Sequence, residues 1–117
     1  MNALTTHILD TSLGRPAGGV QIKLYYLEGS QYKLVRETTT NDDGRTDLPL
    51  LSEKEMKLGR YQIVFEMANY FLSTNPSLSE PLFISDIPIQ FSITDLNFHY
   101  HVPLLASPFA YSTYRGS

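Results

Sequence analysis

The sequence predicts an all-β fold, a sandwich or barrel of short antiparallel strands, and three observations support this prediction. Its 117 residues include eight Tyr and six Phe, with many Val, Ile and Thr, and these residue types favour strands. Apolar and polar residues alternate with a period of two in several short segments, most clearly from Ile87 to Thr94. Turn-forming residues separate these segments, and helical patterns are scarce. The length predicts one domain over residues 1–117.

The alternating segments place seven strands along the chain. Residues two apart on a strand share a face, so each alternation also predicts which side is buried. Two short helical segments interrupt the pattern, a capping-box sequence at residues 52–55 and a second segment at residues 68–74. The predicted strands cover residues 4–10, 20–26, 31–39, 61–65, 87–94, 98–106 and 109–115.

Charge and composition exclude several kinds of partner and chemistry. The net charge of −3 gives no electrostatic reason to bind nucleic acid. The absence of cysteine removes disulfides and thiolate catalysis. No apolar stretch reaches the roughly 20 residues that span a bilayer, the first residues do not resemble a signal peptide, and the last three are not a peroxisomal signal. We therefore expect a cytoplasmic protein without a membrane partner.

All three histidines, His7, His99 and His101, lie in predicted strands. His99 and His101 are two residues apart, so their side chains are predicted on one face, with Tyr100 and Val102 on the other. The residues alone leave three interpretations open. The rings are hydrogen-bonded or solvent-facing structural groups, ligands of a zinc ion, or general acid–base catalysts.

Arg45 follows the turn Asp42-Asp43-Gly44, which is predicted to present it at the start of a strand. One interpretation is a surface arginine paired with a neighbouring aspartate. The other is a planar, permanently charged group that holds a carbonyl, carboxylate or oxyanion. Composition does not separate these two interpretations.

The last four residues, Tyr114, Arg115, Gly116 and Ser117, also have two interpretations. They are either an exposed strand end or a docked terminus that holds the carboxylate of Ser117 in a fixed place. In the second case Gly116 would let the chain approach another group closely.

Three segments of the chain resemble 5-hydroxyisourate hydrolases, the transthyretin-related family of urate degradation. They are LTTHILDTSLGRPAGGVQIKL, TTNDDGRT and HYHVPLLASPFAYSTYRGS, and the terminal Tyr-Arg-Gly-Ser distinguishes these enzymes from the hormone carrier transthyretin. The resemblance implies a transthyretin-like (prealbumin-like) sandwich of two four-stranded antiparallel sheets, with one short helix after the fifth strand. It also implies a homotetramer, a dimer of dimers, with active sites between the dimers.

The resemblance further implies hydrolysis of 5-hydroxyisourate, a cyclic amide, to 2-oxo-4-hydroxy-4-carboxy-5-ureidoimidazoline, without cofactor or metal. Its catalytic residues carry over to His7, Arg45 and His101. The histidines would activate the water and return the proton, while the arginine would orient the ring and stabilise negative charge. Which histidine is the base stays open. The implied substrate-binding residues are His99, Tyr114, Arg115, Gly116 and Ser117.

Two alternatives belong to other functional classes. The first is a binding protein of the same fold that carries a small aromatic ligand in a channel between subunits, which the fold alone does not exclude. The second is a histidine-dependent zinc hydrolase, which chelation would inactivate.

Overall fold

Residues 2–116, which the computed structural model describes, form strands, one α-helix and one turn of 3₁₀-helix. The 3₁₀ turn covers Glu53–Glu55, inside the predicted capping box. In chain order the other elements are β1 (Leu4–Asp10), β2 (Arg15–Pro16), β3 (Gln21–Glu28), β4 (Gln31–Thr39), β5 (Gly59–Glu66), α1 (Met67–Thr74), β6 (Ile87–Ile93), β7 (Tyr100–Ser107) and β8 (Ala110–Thr113).

The strands form two four-stranded sheets, one with the order β2-β1-β7-β8 and the other with the order β4-β3-β5-β6. Helix α1 directly follows the fifth strand. This confirms the predicted all-β sandwich with one short helix. Within residues 2–116, no helix has both the length and the apolar character needed to cross a membrane.

One strand pair differs from the predicted antiparallel arrangement. Strands β1 and β7 run parallel, from Leu4 beside Tyr100 to Asp10 beside Ala106. A tight hairpin can join only antiparallel neighbours, but β1 and β7 are separated by the whole second sheet, so their relative direction is free of that constraint. Alternation of apolar residues reports the buried face of a strand and not its direction, which is why the sequence did not reveal the parallel pair.

The two sheets bury one face each in a shared apolar core. Burial alternates along β1 with the predicted period of two, so that every second residue is buried and the residues between are half buried. The half-buried outer face of this strand carries Thr5 and His7. The largest fully buried side chains are Tyr61, Phe65, Phe71, Leu4, Ile8, Ile22, Leu24, Leu50, Ile63, Met67, Ile87 and Ile93.

A buried hydrogen-bond pair ties helix α1 to the end of β1. Tyr70 Oη donates to Asp10 Oδ2 over 2.7 Å, and Ser12 Oγ donates to Asp10 Oδ1 over 2.6 Å. Burial, followed by the hydrogen bond to Asp10, raises the pKa of Tyr70 to about 12. The Tyr70 hydroxyl therefore keeps its proton at any physiological pH. It can donate to Asp10 throughout that range, and this hydrogen bond holds β1 in position relative to the helix.

Candidate active site

The pairing of β1 with β7 brings His7 and His101 to the outer face of one sheet. Thr5 stands opposite His101 in the register, and His7 stands opposite Pro103. His101 is half buried, whereas its neighbours Tyr100 and Val102 are buried on the core side. The predicted faces of both strands are confirmed, and two histidines 94 positions apart in the sequence lie on neighbouring strands.

Arg45 lies in a loop that is fastened to β1 beside His7. Ile8 N donates to the Gly44 carbonyl over 2.9 Å, and Asn41 Oδ1 accepts from Arg45 N over 3.2 Å. Gly44 has φ +72°, and a Cβ atom there would lie 2.5 Å from the Ile8 carbonyl oxygen, so only glycine fits. The predicted strand start at Arg45 is wrong, because these loop contacts take the place of strand pairing. The positive charge of Arg45 nevertheless acts on both His7 and His101.

Electrostatic effects show that the three groups act on one another. Burial lowers the pKa of His7, and the positive charge of Arg45 lowers it further, while the Asp43 main chain raises it. Burial also lowers the pKa of His101, followed by the charges of Arg45, His7 and His99. Both imidazoles are therefore neutral at neutral pH, which is the state that a general base requires.

The chain after β8 docks against His101. Strand β8 ends at Thr113, earlier than the predicted residue 115, because Pro103 of β7 has no N–H for the ladder. Pairing resumes at Gly116, whose N–H donates to the His101 carbonyl over 2.7 Å. A Cβ atom on Gly116 would lie 2.7 Å from His101 Cδ2, so the predicted close approach is confirmed. Gly116 therefore covers one edge of the His101 ring.

Two other residues of the tail, Tyr114 and Arg115, have their described contacts and exposure away from the histidines. The Arg115 guanidinium carbon lies 4.3 Å from the centroid of the Tyr100 ring, on the core side of β7. This cation–π contact anchors the tail. Tyr114 is exposed, with 60% of its surface accessible. Ser117, which was also predicted to bind substrate, lies outside the described residues.

His99 lies in the loop before β7, which begins at Tyr100, so its predicted place within a strand is wrong. The ring is still close to the site, because Ala3 N donates to His99 Nδ1 over 3.2 Å. Thr5, which the sequence analysis did not select, connects the two neighbouring histidines. Its Oγ1 lies 2.8 Å from His101 Nδ1 and 3.2 Å from His99 Nε2. Thr5 lies on the outer face of β1 with His7, and the β1–β7 register brings it opposite His101.

A small cavity of about 160 Å³ has Thr5, Arg45 and Thr46 among its lining residues. His7 and His101 do not line it, and Thr5 connects it to His101 through the hydrogen bond to Nδ1. Across residues 2–116, no three or more His, Cys, Asp or Glu side chains are grouped so as to hold a metal ion. The chemically useful groups at this place are two neutral imidazoles, one guanidinium and one hydroxyl. Such a set can move a proton and stabilise a developing negative charge.

A two-sheet sandwich that carries two histidines on the outer face of one sheet, with an arginine in a loop fastened beside them, defines a transthyretin-like protein with a polar site. Comparison with known sequences agrees with this class. The chain belongs to the HIUase/Transthyretin family, whose sequence model matches residues 4–116.

Similar proteins include 5-hydroxyisourate hydrolases and a transthyretin with bound thyroxine. The 5-hydroxyisourate hydrolase 2 of Rhizobium meliloti is 52% identical over 114 residues, which cover 97% of this chain and 95% of that protein. The structure of Klebsiella pneumoniae 5-hydroxyisourate hydrolase is 34% identical, with a TM-score of 0.80 and full coverage of both chains. Sea bream transthyretin in complex with thyroxine is 26% identical, with a TM-score of 0.85, covering 97% of this chain and 93% of that one. The residues of the site, and not the fold, must therefore decide whether this protein catalyses a reaction or only binds a ligand.

Proposed function

We propose that this protein is a 5-hydroxyisourate hydrolase, which opens the cyclic amide of its substrate to give 2-oxo-4-hydroxy-4-carboxy-5-ureidoimidazoline. The observation that carries the proposal is that His7 and His101 lie on one face of neighbouring strands, with the charge of Arg45 acting on both rings from the loop fastened to β1. Curated relatives that are named for this activity and match nearly the full chain support it.

The residues supply what amide hydrolysis needs. Water must lose a proton as its oxygen attacks the carbonyl carbon, the tetrahedral oxyanion must be stabilised, and the leaving nitrogen must gain a proton as the C–N bond breaks. His7 and His101 handle the protons in this proposal. Arg45 orients the ring and stabilises the oxyanion with its planar donors. Water is both nucleophile and proton source, so the step balances without a cofactor.

We further propose a homotetramer, a dimer of dimers, with the substrate held between subunits. The cavity beside Arg45 is about 160 Å³ and open on one chain, which leaves a partner surface to close it. We expect sedimentation velocity to show a tetramer at assay concentrations, because a closed site needs the partner. An active monomer would contradict this assembly. A cytoplasmic location stays a prediction.

A carrier function is the second candidate, because a thyroxine-bound transthyretin shares the fold over nearly the whole chain. The two proposals differ in what happens to 5-hydroxyisourate generated from urate in solution. A hydrolase accelerates its loss of absorbance beyond the spontaneous rate, whereas a carrier leaves that rate unchanged or slows it. Activity that persists after extensive chelation would also argue against a zinc hydrolase.

The activity is expected to fall in acid with a midpoint below the ordinary histidine value of about 6.5. Burial and then Arg45 lower the pKa of His7, and the same causes lower that of His101, so the rings stay neutral to lower pH than free histidine. The profile of kcat/KM against pH should thus be flat above this midpoint and decline below it. The unfolded chain takes up these protons first, so stability should also fall as pH drops below about 6.5. A midpoint above 6.5 would contradict the assigned states.

Gly116→Ala is expected to lower kcat clearly without unfolding the protein. The new methyl group would lie 2.7 Å from His101 Cδ2, so either the tail or the ring must move. Gly19, which has open space at its Cβ position, provides a matched glycine in a loop away from the site, although its φ of +77° makes a small stability cost expected there. The comparison of kcat for Gly116→Ala and Gly19→Ala, with circular dichroism of both, checks this. Equal activity in the two variants would mean that the docked tail does not position His101.

A further inference from the structure

A chain of hydrogen bonds runs through three polar groups to the inner nitrogen of His101. It begins at the main-chain N–H of Ala3, which donates to His99 Nδ1 over 3.2 Å. His99 Nε2 lies 3.2 Å from Thr5 Oγ1, and that oxygen lies 2.8 Å from His101 Nδ1. These residues come from the two ends of the sequence and meet because β1 pairs with β7 in parallel register.

The direction of this chain follows from its first member. A main-chain N–H can only donate, so His99 Nδ1 must be an acceptor without a proton. The proton of the neutral His99 ring is then on Nε2, which donates to Thr5 Oγ1. A threonine hydroxyl has one proton, and its remaining neighbour is His101 Nδ1, so the hydroxyl donates there. The neutral His101 ring consequently carries its own proton on Nε2.

We propose that Thr5 is a positioning residue that holds His101 as the Nε2–H tautomer, so that His101 donates a hydrogen bond to the reacting substrate and His7 takes the proton of the attacking water. The inference rests on the proposed hydrolase function and assigns different roles to the two histidines within it. In Ser-His-Asp triads, a substitution that leaves the histidine in the wrong tautomer removes most of the activity, although the geometry of the site is kept.

The surroundings of the two rings support this division of roles. The outer nitrogen of His101 lies on the side of the ring away from Thr5, next to the edge that Gly116 covers. A proton there suits the oxygen or nitrogen of a substrate that gains negative charge. The Asp43 main chain beside the His7 ring favours an N–H directed at it. The other nitrogen of His7 then has a free lone pair, as a base requires.

The Thr5 main chain also acts on the His101 ring as a hydrogen-bond acceptor, so its carbonyl is available to an N–H of that ring. If the Thr5 hydroxyl is removed, Nδ1 loses its donor, and a proton on Nδ1 that is directed at this carbonyl becomes the better arrangement. Removing the hydroxyl should therefore change the tautomer of His101 and not only weaken its packing.

Two substitutions of Thr5 separate the hydroxyl from the shape of the side chain. Thr5→Val keeps the branched shape without the hydroxyl, and Thr5→Ser keeps the hydroxyl. We expect kcat to fall roughly 10- to 100-fold in Thr5→Val, by analogy with the loss of hydrogen-bond partners that orient metal-binding histidines, and to stay near wild type in Thr5→Ser. Thr39→Val is the matched control, since Thr39 bonds only Gln21 on the other sheet, and its activity should be unchanged.

The tautomer itself is read from long-range ¹H–¹⁵N correlation spectra of the labelled, assembled protein, which distinguish protonated from unprotonated ring nitrogens. We expect Nε2 of His101 to be protonated in wild type, with protonation shifting towards Nδ1 in Thr5→Val. A wild-type spectrum with the proton on Nδ1 would overturn the proposal, as would wild-type kcat in Thr5→Val. The wild-type and Thr5→Ser spectra decide the matter if Thr5→Val does not fold. Because no substrate is needed, this result stands apart from a failure of the hydrolase proposal, which would appear as an unchanged decay rate with wild-type protein.

The assigned roles have a test of their own in glutamine variants. A glutamine amide nitrogen can replace the Nε2–H of histidine as a donor, but it cannot act as a base at neutral pH. His101→Gln should therefore retain more activity than His7→Gln, measured as kcat under the same conditions. The reverse order would show that His101 is the base and would overturn the division of roles.

Discussion

Replacing either His7 or His101 by asparagine is expected to lower kcat by about 100-fold or more, the usual scale for a lost general acid–base group. Asparagine neither accepts the proton of water at neutral pH nor reaches as far as the outer nitrogen of the imidazole ring. Both histidines are half buried on the outer face of the sheet and contribute little to the apolar core. The variants should therefore fold and assemble like wild type.

The measurement is kcat on 5-hydroxyisourate generated from urate in situ, corrected for spontaneous decay, with circular dichroism and sedimentation for each variant. His99→Asn provides a milder comparison and should cost less activity, because His99 contacts His101 indirectly, through the hydroxyl of Thr5. Near-wild-type turnover in both the His7 and the His101 variants would contradict the assignment of these two residues as general acid and base.

Arg45→Lys is expected to lower kcat/KM by about tenfold or more although the charge is kept. The removal of one oxyanion donor elsewhere costs roughly 10²- to 10³-fold, and lysine retains the charge while losing the planar fork. The positive charge of Arg45 also lowers the pKa of both histidines. Lysine should preserve part of that effect, so the pH midpoint should move less than the rate.

Arg60→Lys is the matched control for this substitution. Arg60 is an exposed arginine on β5 of the other sheet, paired with Ser92 in the register. Its replacement should leave kcat/KM unchanged. Full activity in Arg45→Lys would show that Arg45 is only a surface charge and would leave the oxyanion without its proposed partner.

Much of the fold could be predicted because alternation reports directly on burial. The predicted bounds of β1 and β4 match the structure residue for residue, and the residues of β1 that alternation placed in the core are buried. The alternation of apolar and polar residues does not indicate the direction of a strand or its register with a neighbouring strand, because both depend on contacts between distant segments. Such contacts determine the parallel pairing of β1 with β7. They also determine the end of β8 at Thr113, since the next residue would have to pair with Pro103 of β7.

The sequence indicated which residues belong to the candidate site more fully than it indicated which of their side chains contact one another. His101 was predicted on the face of its strand opposite Tyr100 and Val102, and it lies there. Thr5 was not among the predicted site residues, and its contact with His101 exists because two segments 96 positions apart in the sequence pair as neighbouring strands. Arg115 was predicted to bind substrate because of its place in the terminal motif. In the structure its guanidinium stacks on the Tyr100 ring.

The most direct test of the account is the number of 5-hydroxyisourate molecules that each protein chain consumes when the substrate is in large excess. The wild-type protein, pretreated with a chelator, is compared with the His7→Asn, His101→Asn double variant at equal concentration. We predict many turnovers per chain for wild type and a rate equal to spontaneous decay for the double variant. Decay that is unchanged by wild-type protein, or substrate loss limited to one equivalent per chain, would contradict the account and favour a carrier.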